Sequence, residues 1–259
     1  MQLASIAAFT LAAFLVPAGQ LLNAGPIRLQ SEATQTPLLE LFTSEGCSSC
    51  PPAETWLSRL KDSPTLWKSV VPVAFHVDYW DDLGWKDPFS RKAYTERQSR
   101  YADSWRSDSV YTPGFVLNGR EWRNWSNREK PPRSSSQSVG VLTARSEDGK
   151  EWSLRFRPVG KSAPEACEFH AALLGFDLSA DVKAGENRGR KLGHDFVVLA
   201  LAKGKAHSDG EAFRGVLSLD MSSGAASKRL AVAAWVTPAG SMQPLQSVGG
   251  WLSSGNQVR

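Results

Sequence analysis

The chain has 259 residues, of which 41% are hydrophobic and 22% are charged. This balance is ordinary for globular proteins and excludes a wholly disordered or fibrous chain. The net charge is only +4, and the charged residues are spread without a basic arm or stripe, so a nucleic-acid partner is not expected. A chain of this length favours two domains over one.

Residues 1–24 are predicted to be a signal peptide. Almost every side chain in residues 3–16 is apolar, and no charged residue precedes Arg28. This run is shorter than the roughly 20 residues of a membrane span, and it matches the core of a secretory leader. We therefore expect a periplasmic or secreted protein without stable membrane insertion after cleavage at Ala18 or Ala24. Since the leader lacks a basic residue, an uncleaved anchor or a buried N-terminal helix is the alternative.

The pattern after the leader predicts two domains of different class. Residues 36–125 read as strand, helix, strand, helix and strand, an order that implies a crossover connection and parallel strands. Residues 126–138 are polar with two prolines and a serine run, and they are predicted to be a linker. Short strands separated by turn residues follow over residues 139–259 and indicate an all-β, sandwich-like domain. The predicted strands are 37–43, 70–77, 114–118, 139–146, 151–157, 167–178, 195–202, 212–220 and 230–237, and the predicted helices are 53–61 and 89–105.

Cys47 and Cys50 form a C-x-x-C pair between the first predicted strand and the first predicted helix. The positive end of a helix favours a thiolate, and the thiolate is the form that attacks disulfides. We therefore expect Cys47 to be an exposed nucleophile and Cys50 to resolve the mixed disulfide. A structural disulfide and a metal site are the alternatives. The third cysteine, Cys167, falls in a predicted strand and is either a buried thiol or a partner in an intermolecular disulfide.

Several residues are candidates for the surroundings of this pair. Thr112 and Pro113 precede a strand at the position where thioredoxin-like folds place a cis-proline beside the dithiol, and X-Pro bonds are nearly the only cis bonds in proteins. They are predicted to guide an extended substrate. Trp80 and Trp85 flank an acidic turn and either pack on the following helix or line a substrate groove. Glu40 either accepts a proton from the resolving cysteine or faces solvent.

His76, at the end of the second predicted strand, keeps a metal function open. A histidine with two cysteines is a ligand set that copper and zinc accept. The alternative is an ordinary strand histidine with a hydrogen-bond partner. Apart from this metal alternative, no cofactor is expected. Glu45 lies close to Cys47 in sequence, and its charge is expected to oppose the thiolate and make the pair less oxidising.

Segments distributed over most of the chain strongly resemble a known family. They are residues 40–52 (ELFTSEGCSSCPP), 75–80 (FHVDYW), 83–89 (LGWKDPF), 111–113 (YTP), 185–190 (GENRGR) and 194–195 (HD). The family is the secreted, thioredoxin-like bacterial family catalogued as domain of unknown function 1223. The resemblance implies an exported protein with a thioredoxin-like domain followed by a β-rich domain, and it implies no substrate. After Gly119 the chain departs from the family pattern, because an Arg-, Pro- and Ser-rich linker replaces the expected closing helix.

The sequence thus predicts a thiol–disulfide oxidoreductase that acts on protein thiols or disulfides, or on a redox partner, through Cys47 and Cys50. One alternative is a copper-binding or copper-delivery module that uses Cys47, Cys50 and His76. The other is a binding protein with a redox-inactive, structural disulfide.

Overall fold

The computed structural model describes residues 26–127, 136–160 and 164–252. The predicted signal peptide lies outside these ranges, as do residues 128–135 of the predicted linker. Within the described ranges, no helix is long and apolar enough to cross a membrane.

The described residues form fifteen strands and two α-helices. The bounds are β1 (Ile27–Gln30), β2 (Leu38–Thr43), α1 (Pro51–Ser58), β3 (Val71–His76), α2 (Lys92–Trp105), β4 (Gly114–Leu117), β5 (Arg120–Glu121), β6 (Gly140–Ser146), β7 (Glu151–Pro158), β8 (Cys167–Phe176), β9 (Leu178–Asp181), β10 (Lys191–His194), β11 (Val197–Lys205), β12 (His207–Ser208), β13 (Phe213–Ser218), β14 (Arg229–Pro238) and β15 (Gln246–Leu252). Short 3-10 helices occupy Arg59–Asp62, Asp81–Leu83 and Met221–Gly224.

The predicted fold class, an α/β thioredoxin-like domain followed by an all-β domain, is wrong. In the described ranges the chain is mainly β, with only two α-helices, of 8 and 14 residues. An eight-stranded sheet has the order β15-β14-β8-β11-β3-β2-β4-β5, so it combines strands from both halves of the chain. The junction is a parallel pairing of β3 with β11 at Ala74 and Val197. Hydrophobic alternation identifies the faces of a strand but not its edge partners, and the sequence therefore did not reveal this pairing.

A second sheet packs against the eight-stranded one. Its five strands have the order β1-β6-β7-β13-β12, and every pairing in it is antiparallel. The hairpin of β6 and β7 turns at Asp148 and Gly149, where the sequence predicts it, and Gly149 has the positive φ of 76° that favours glycine. Strands β9 and β10 form a separate two-stranded sheet.

The strands β8 and β14 have apolar residues on both faces, as expected for strands buried in the middle of a molecule. In β14, Ala233 and Trp235 belong to the core that includes the helices, whereas Val232, Ala234 and Val236 belong to the core between the two sheets. The core that includes the helices also holds the carboxyl end of β2 against the start of α1, at the junction of these two elements. This junction contains the two paired cysteines.

Candidate functional site

The cysteines at the C-x-x-C motif are joined in a disulfide between β2 and α1. Cys50 is the N-cap residue of α1, and its carbonyl oxygen accepts hydrogen bonds from Ala53 N at 2.9 Å and Glu54 N at 3.1 Å. Pro51 and Pro52 open the helix, where their missing N–H groups cost nothing because the first N–H groups of a helix lack internal partners. The disulfide therefore lies at the positive end of α1.

Both cysteines are completely buried, with 0% of each residue exposed, so the expectation of an exposed Cys47 is wrong. Residues 185–190, which we call the cover segment, lie against the turn that carries the disulfide. Asn187 Nδ2 donates hydrogen bonds to the carbonyl oxygens of Glu45 at 2.8 Å and of Cys47 at 2.9 Å. Ser48 N donates to Glu186 Oε2 at 3.0 Å. The cover segment thus holds the turn that carries the disulfide through three hydrogen bonds.

The structure brings Trp80, Thr112 and Pro113 together beside the turn. Trp80 Nε1 donates to Thr112 Oγ1 at 2.9 Å, and the bond between Thr112 and Pro113 is cis. Trp80 also packs on Gly46, since a Cβ atom at Gly46 would lie only 2.9 Å from Trp80 Cβ. Trp80 therefore links Thr112 and Pro113 to the turn at Gly46, the residue before Cys47.

Trp85 has a different environment from Trp80. Its Nε1 donates to Glu45 Oε2 at 2.7 Å, and it packs against Gly185 of the cover segment. Trp85 thus connects the loop after β3 to the cover segment and to Glu45.

An open groove with a volume of about 450 Å³ runs past Pro113. Its lining combines the aromatic residues Tyr111, Phe115, Trp122 and Trp125 with the polar residues Ser107, Ser109 and Arg123. The sequence interpretation did not single out Trp122 or Trp125, because they lie in a stretch with no clear periodicity.

Glu40 is buried in an ion pair rather than exposed to solvent. It accepts hydrogen bonds from Arg97 Nε at 2.6 Å and from the Tyr101 hydroxyl, both on α2. Burial lowers the pKa of Arg97, but the nearby carboxylate of Glu40 raises it by more. The pKa of Arg97 therefore lies above its ordinary value. Glu40 and Thr43 are three residues apart on β2 and point to opposite faces. Thr43 bonds Glu54 of α1, and Glu40 therefore lies on the face away from α1.

On the α1 side, sequence reasoning missed a buried network of acids and a histidine. His194 of β10 lies between two carboxylates: Nδ1 bonds Glu54, and Nε2 bonds Glu45 Oε1 at 3.1 Å. Thr43 Oγ1 donates to Glu54 Oε1 at 2.5 Å. Burial lowers the pKa of His194, but the two carboxylates outweigh it and raise that pKa to about 10. His194 is therefore an imidazolium that balances charge at Glu45 and Glu54. The one local signal for Glu54 was its position one helical turn after Cys50, on the inward face of α1.

His76 lies beside this network. Its Nδ1 bonds Asp87 Oδ2 at 2.6 Å, and Asp87 also accepts from Glu45 N at 2.8 Å. Burial raises the pKa of Asp87, but His76 outweighs it, so the pKa lies below its ordinary value. The rings of His76 and His194 contact edge to face with centroids 5.2 Å apart. The proposed copper ligands Cys47 and Cys50 have their sulfurs in a disulfide, and His76 is grouped with Glu54 and His194 instead.

Cys167 is a buried free thiol at the start of β8. Burial raises its pKa to about 12. The thiol is therefore protonated at neutral pH and is not poised for reaction.

Comparisons with known proteins place the chain in a family and give the fold two relatives. A crystal structure of a protein from Agrobacterium tumefaciens is similar at 25% identity, with a TM-score of 0.60, over 88% of this chain and 98% of that chain. HBP35 of Porphyromonas gingivalis is similar in fold at 12% identity, with a TM-score of 0.56, over 87% of this chain and 77% of that chain. No curated protein matches the sequence. The model of a family described as protein of unknown function (DUF1223) matches residues 38–237, and the chain belongs to that family.

Proposed function

We propose that Cys47 and Cys50 are a redox-active pair and that the protein is an exported thiol–disulfide oxidoreductase. The observation that carries the proposal is the C-x-x-C disulfide at the positive end of α1. In the reduced form one thiolate attacks a substrate disulfide, a mixed disulfide forms, and a substrate thiolate leaves. The second cysteine then attacks the mixed disulfide and releases the other substrate thiol, so two electrons pass to the substrate. The reverse sequence oxidises a dithiol.

Burial disfavours the thiolate of Cys47, but two features near the sulfur atoms favour it. Its Sγ lies 3.3 Å from the Ser49 hydroxyl, which can donate a hydrogen bond to a thiolate. Pro51 and Pro52 have no N–H groups to offer, so the helix acts on the sulfurs through its dipole. The charge of Glu45 does not act alone against the thiolate, because Glu45 is paired with His194. This pairing weakens the repulsion that the sequence predicted.

The substrate must reach a pair that is completely buried and lies beside the cover segment. We infer that residues 185–190 move away from the turn before exchange, and that Asn187 and Glu186 release Cys47 and Ser48. The cis bond at Pro113 and the groove beside it, which has both aromatic and polar walls, suit an extended peptide. A disulfide also suits the oxidising compartments outside the cytoplasm, as does the apolar N-terminal stretch.

The test is to equilibrate the protein in thiol–disulfide buffers and to count alkylated cysteines by intact mass. We expect a potential in the range of known exchange proteins, about −120 to −270 mV. We also expect reduction of insulin that is lost in Cys47→Ser and kept in Cys167→Ser, the matched control. Insulin reduction that survives in Cys47→Ser would contradict the proposal.

The complete burial of both cysteines favours a second candidate, a structural disulfide in a binding protein. A potential below about −300 mV would support it, because structural disulfides resist reduction by cellular thiols. The same titration therefore separates the two functions.

A further inference from the structure

We propose that Glu54, His76 and His194 form a binding site for a divalent transition-metal ion of the zinc class. One ligating atom from each residue lies within 4.8 Å of those of the other two, and all three residues are buried. They come from α1, β3 and β10, which only the folded chain brings together. Two imidazoles and one carboxylate are the protein ligands in one class of catalytic zinc sites. This site goes beyond the proposed redox function, because it uses neither sulfur atom.

The most specific observation is the unused ring nitrogen of His76. Its Nδ1 is engaged by Asp87, and its Nε2 is buried with no hydrogen-bond partner among the described residues. A buried polar atom without a partner costs about 1–3 kcal/mol. The carboxylate on Nδ1 favours the tautomer that leaves a lone pair on Nε2, the form that a metal-ligating histidine adopts.

Each candidate histidine has a carboxylate on the ring nitrogen that the ion would not use. Asp87 holds Nδ1 of His76, and Glu45 accepts from Nε2 of His194. This arrangement orients the ligand ring in many zinc sites. The ion would then take the place of the proton between His194 Nδ1 and Glu54, and Thr43 would continue to hold the other oxygen of Glu54.

The charge and the walls of the cluster favour a divalent cation. Three carboxylates, from Glu45, Glu54 and Asp87, surround only two imidazoles, so the cluster carries excess negative charge even with one imidazole protonated. The ring of Phe89 packs on both imidazoles at centroid distances of 5.4 and 5.6 Å and shields this side of the site from water. Ligand atoms around tetrahedral zinc lie roughly 3.3 Å apart, which shifts of about 1 Å in these side chains would reach.

The experiment uses the full chain with its disulfide intact, freed of metal by a chelator. Zn²⁺ is titrated against a chromophoric competitor, and Co²⁺ uptake is followed by its visible absorption. We expect one ion per chain and a tetrahedral Co²⁺ spectrum without thiolate charge-transfer bands. His76→Gln and His194→Gln should weaken binding by about 100-fold, and Asp87→Asn by about 10-fold. His207→Gln, which alters an exposed histidine, is the matched control and should bind as the wild type does.

Two further measurements test the metal site independently of the histidine variants. If a histidine variant fails to fold, imidazole ¹⁵N shifts of the wild type replace it: Zn²⁺ should move the signals of His76 and His194 and leave those of His170 and His207. A Cys47→Ser, Cys50→Ser double variant should keep its zinc affinity, so loss of the redox function and loss of this site are separable. The proposal fails if the oxidised protein retains no Zn²⁺ against the competitor, or if only the reduced protein binds it. It also fails if the signals of His170 or His207 shift instead.

Discussion

Replacing Asn187 by aspartate removes the side-chain amide that ties the cover segment to the disulfide turn, at almost unchanged shape. The amide donates two hydrogen bonds, to the carbonyls of Glu45 and Cys47, and Asn187 is completely buried. A net contribution of about 0.5–1.5 kcal/mol for each bond gives a total of about 1–3 kcal/mol. If the segment must open before a thiol can reach the sulfurs, the open population should rise about 5- to 150-fold. Reduction by dithiothreitol should accelerate by the same factor.

The assay follows reduction under excess dithiothreitol, with samples quenched by alkylation and read by intact mass. Asn187→Ala is a second variant that adds no charge near Glu45 and should also react faster than the wild type. The matched control is Asn124→Asp, because Asn124 is exposed. If Asn187→Asp is reduced no faster than Asn124→Asp, the cover segment does not control access to the disulfide. The gating step of the proposed function would then be wrong.

Three further predictions concern buried groups. Burial and nearby basic side chains hold the pKa of His170 well below 6.5. On acidification the unfolded chain therefore binds a proton at this residue that the folded chain does not bind. As pH falls from about 6.5 to about 5, stability should drop by about 1.4 kcal/mol per pH unit more in the wild type than in His170→Gln, measured by urea unfolding. Arg97→Met leaves Glu40 as a lone buried carboxylate and should destabilise by about 3–5 kcal/mol, whereas equal midpoints would show that the ion pair is not needed. Cys167 should resist iodoacetamide in the native protein and react in urea, and fast native labelling would contradict its burial.

Local sequence patterns located most of the elements but not their assembly. The predicted strands at 37–43 and 70–77 match β2 and β3 closely, and the helix predicted over 89–105 matches α2 except for its first turn. Strand β15 and the edge strand β1 were not predicted, because the first is rich in glycine and serine and the second is short. The pairing of β3 with β11 joins residues that no local pattern connects, and it places strands from both predicted domains in one sheet.

In the candidate site, too, residues with a local sequence signal were predicted and residues joined by long-range contacts were not. Cys47 and Cys50 stand out in the sequence because thiol chemistry needs both at this spacing, and Trp80 was identified from its aromatic-rich loop. The network of Glu54 and His194 could not be predicted from either residue alone, since each is an ordinary residue of its own element and only the fold brings them into contact. Asn187 was noticed only within a family motif. Long-range hydrogen bonds of this kind leave no periodic trace in the chain.

The dependence of the disulfide turn on distant residues has a consequence for synthesis. During synthesis, Glu54 cannot bond His194 until 140 more residues have been added to the chain. Cys47 cannot bond Asn187 until the same number has been added. At about 5–20 residues per second, that interval is about 7–28 s. During this time the two thiols emerge as an unshielded pair at the front of an unfinished sheet. The nascent chain is therefore more open to oxidants and to wrong disulfide partners than the finished protein, and an early, correct Cys47–Cys50 bond would protect it until β10 arrives.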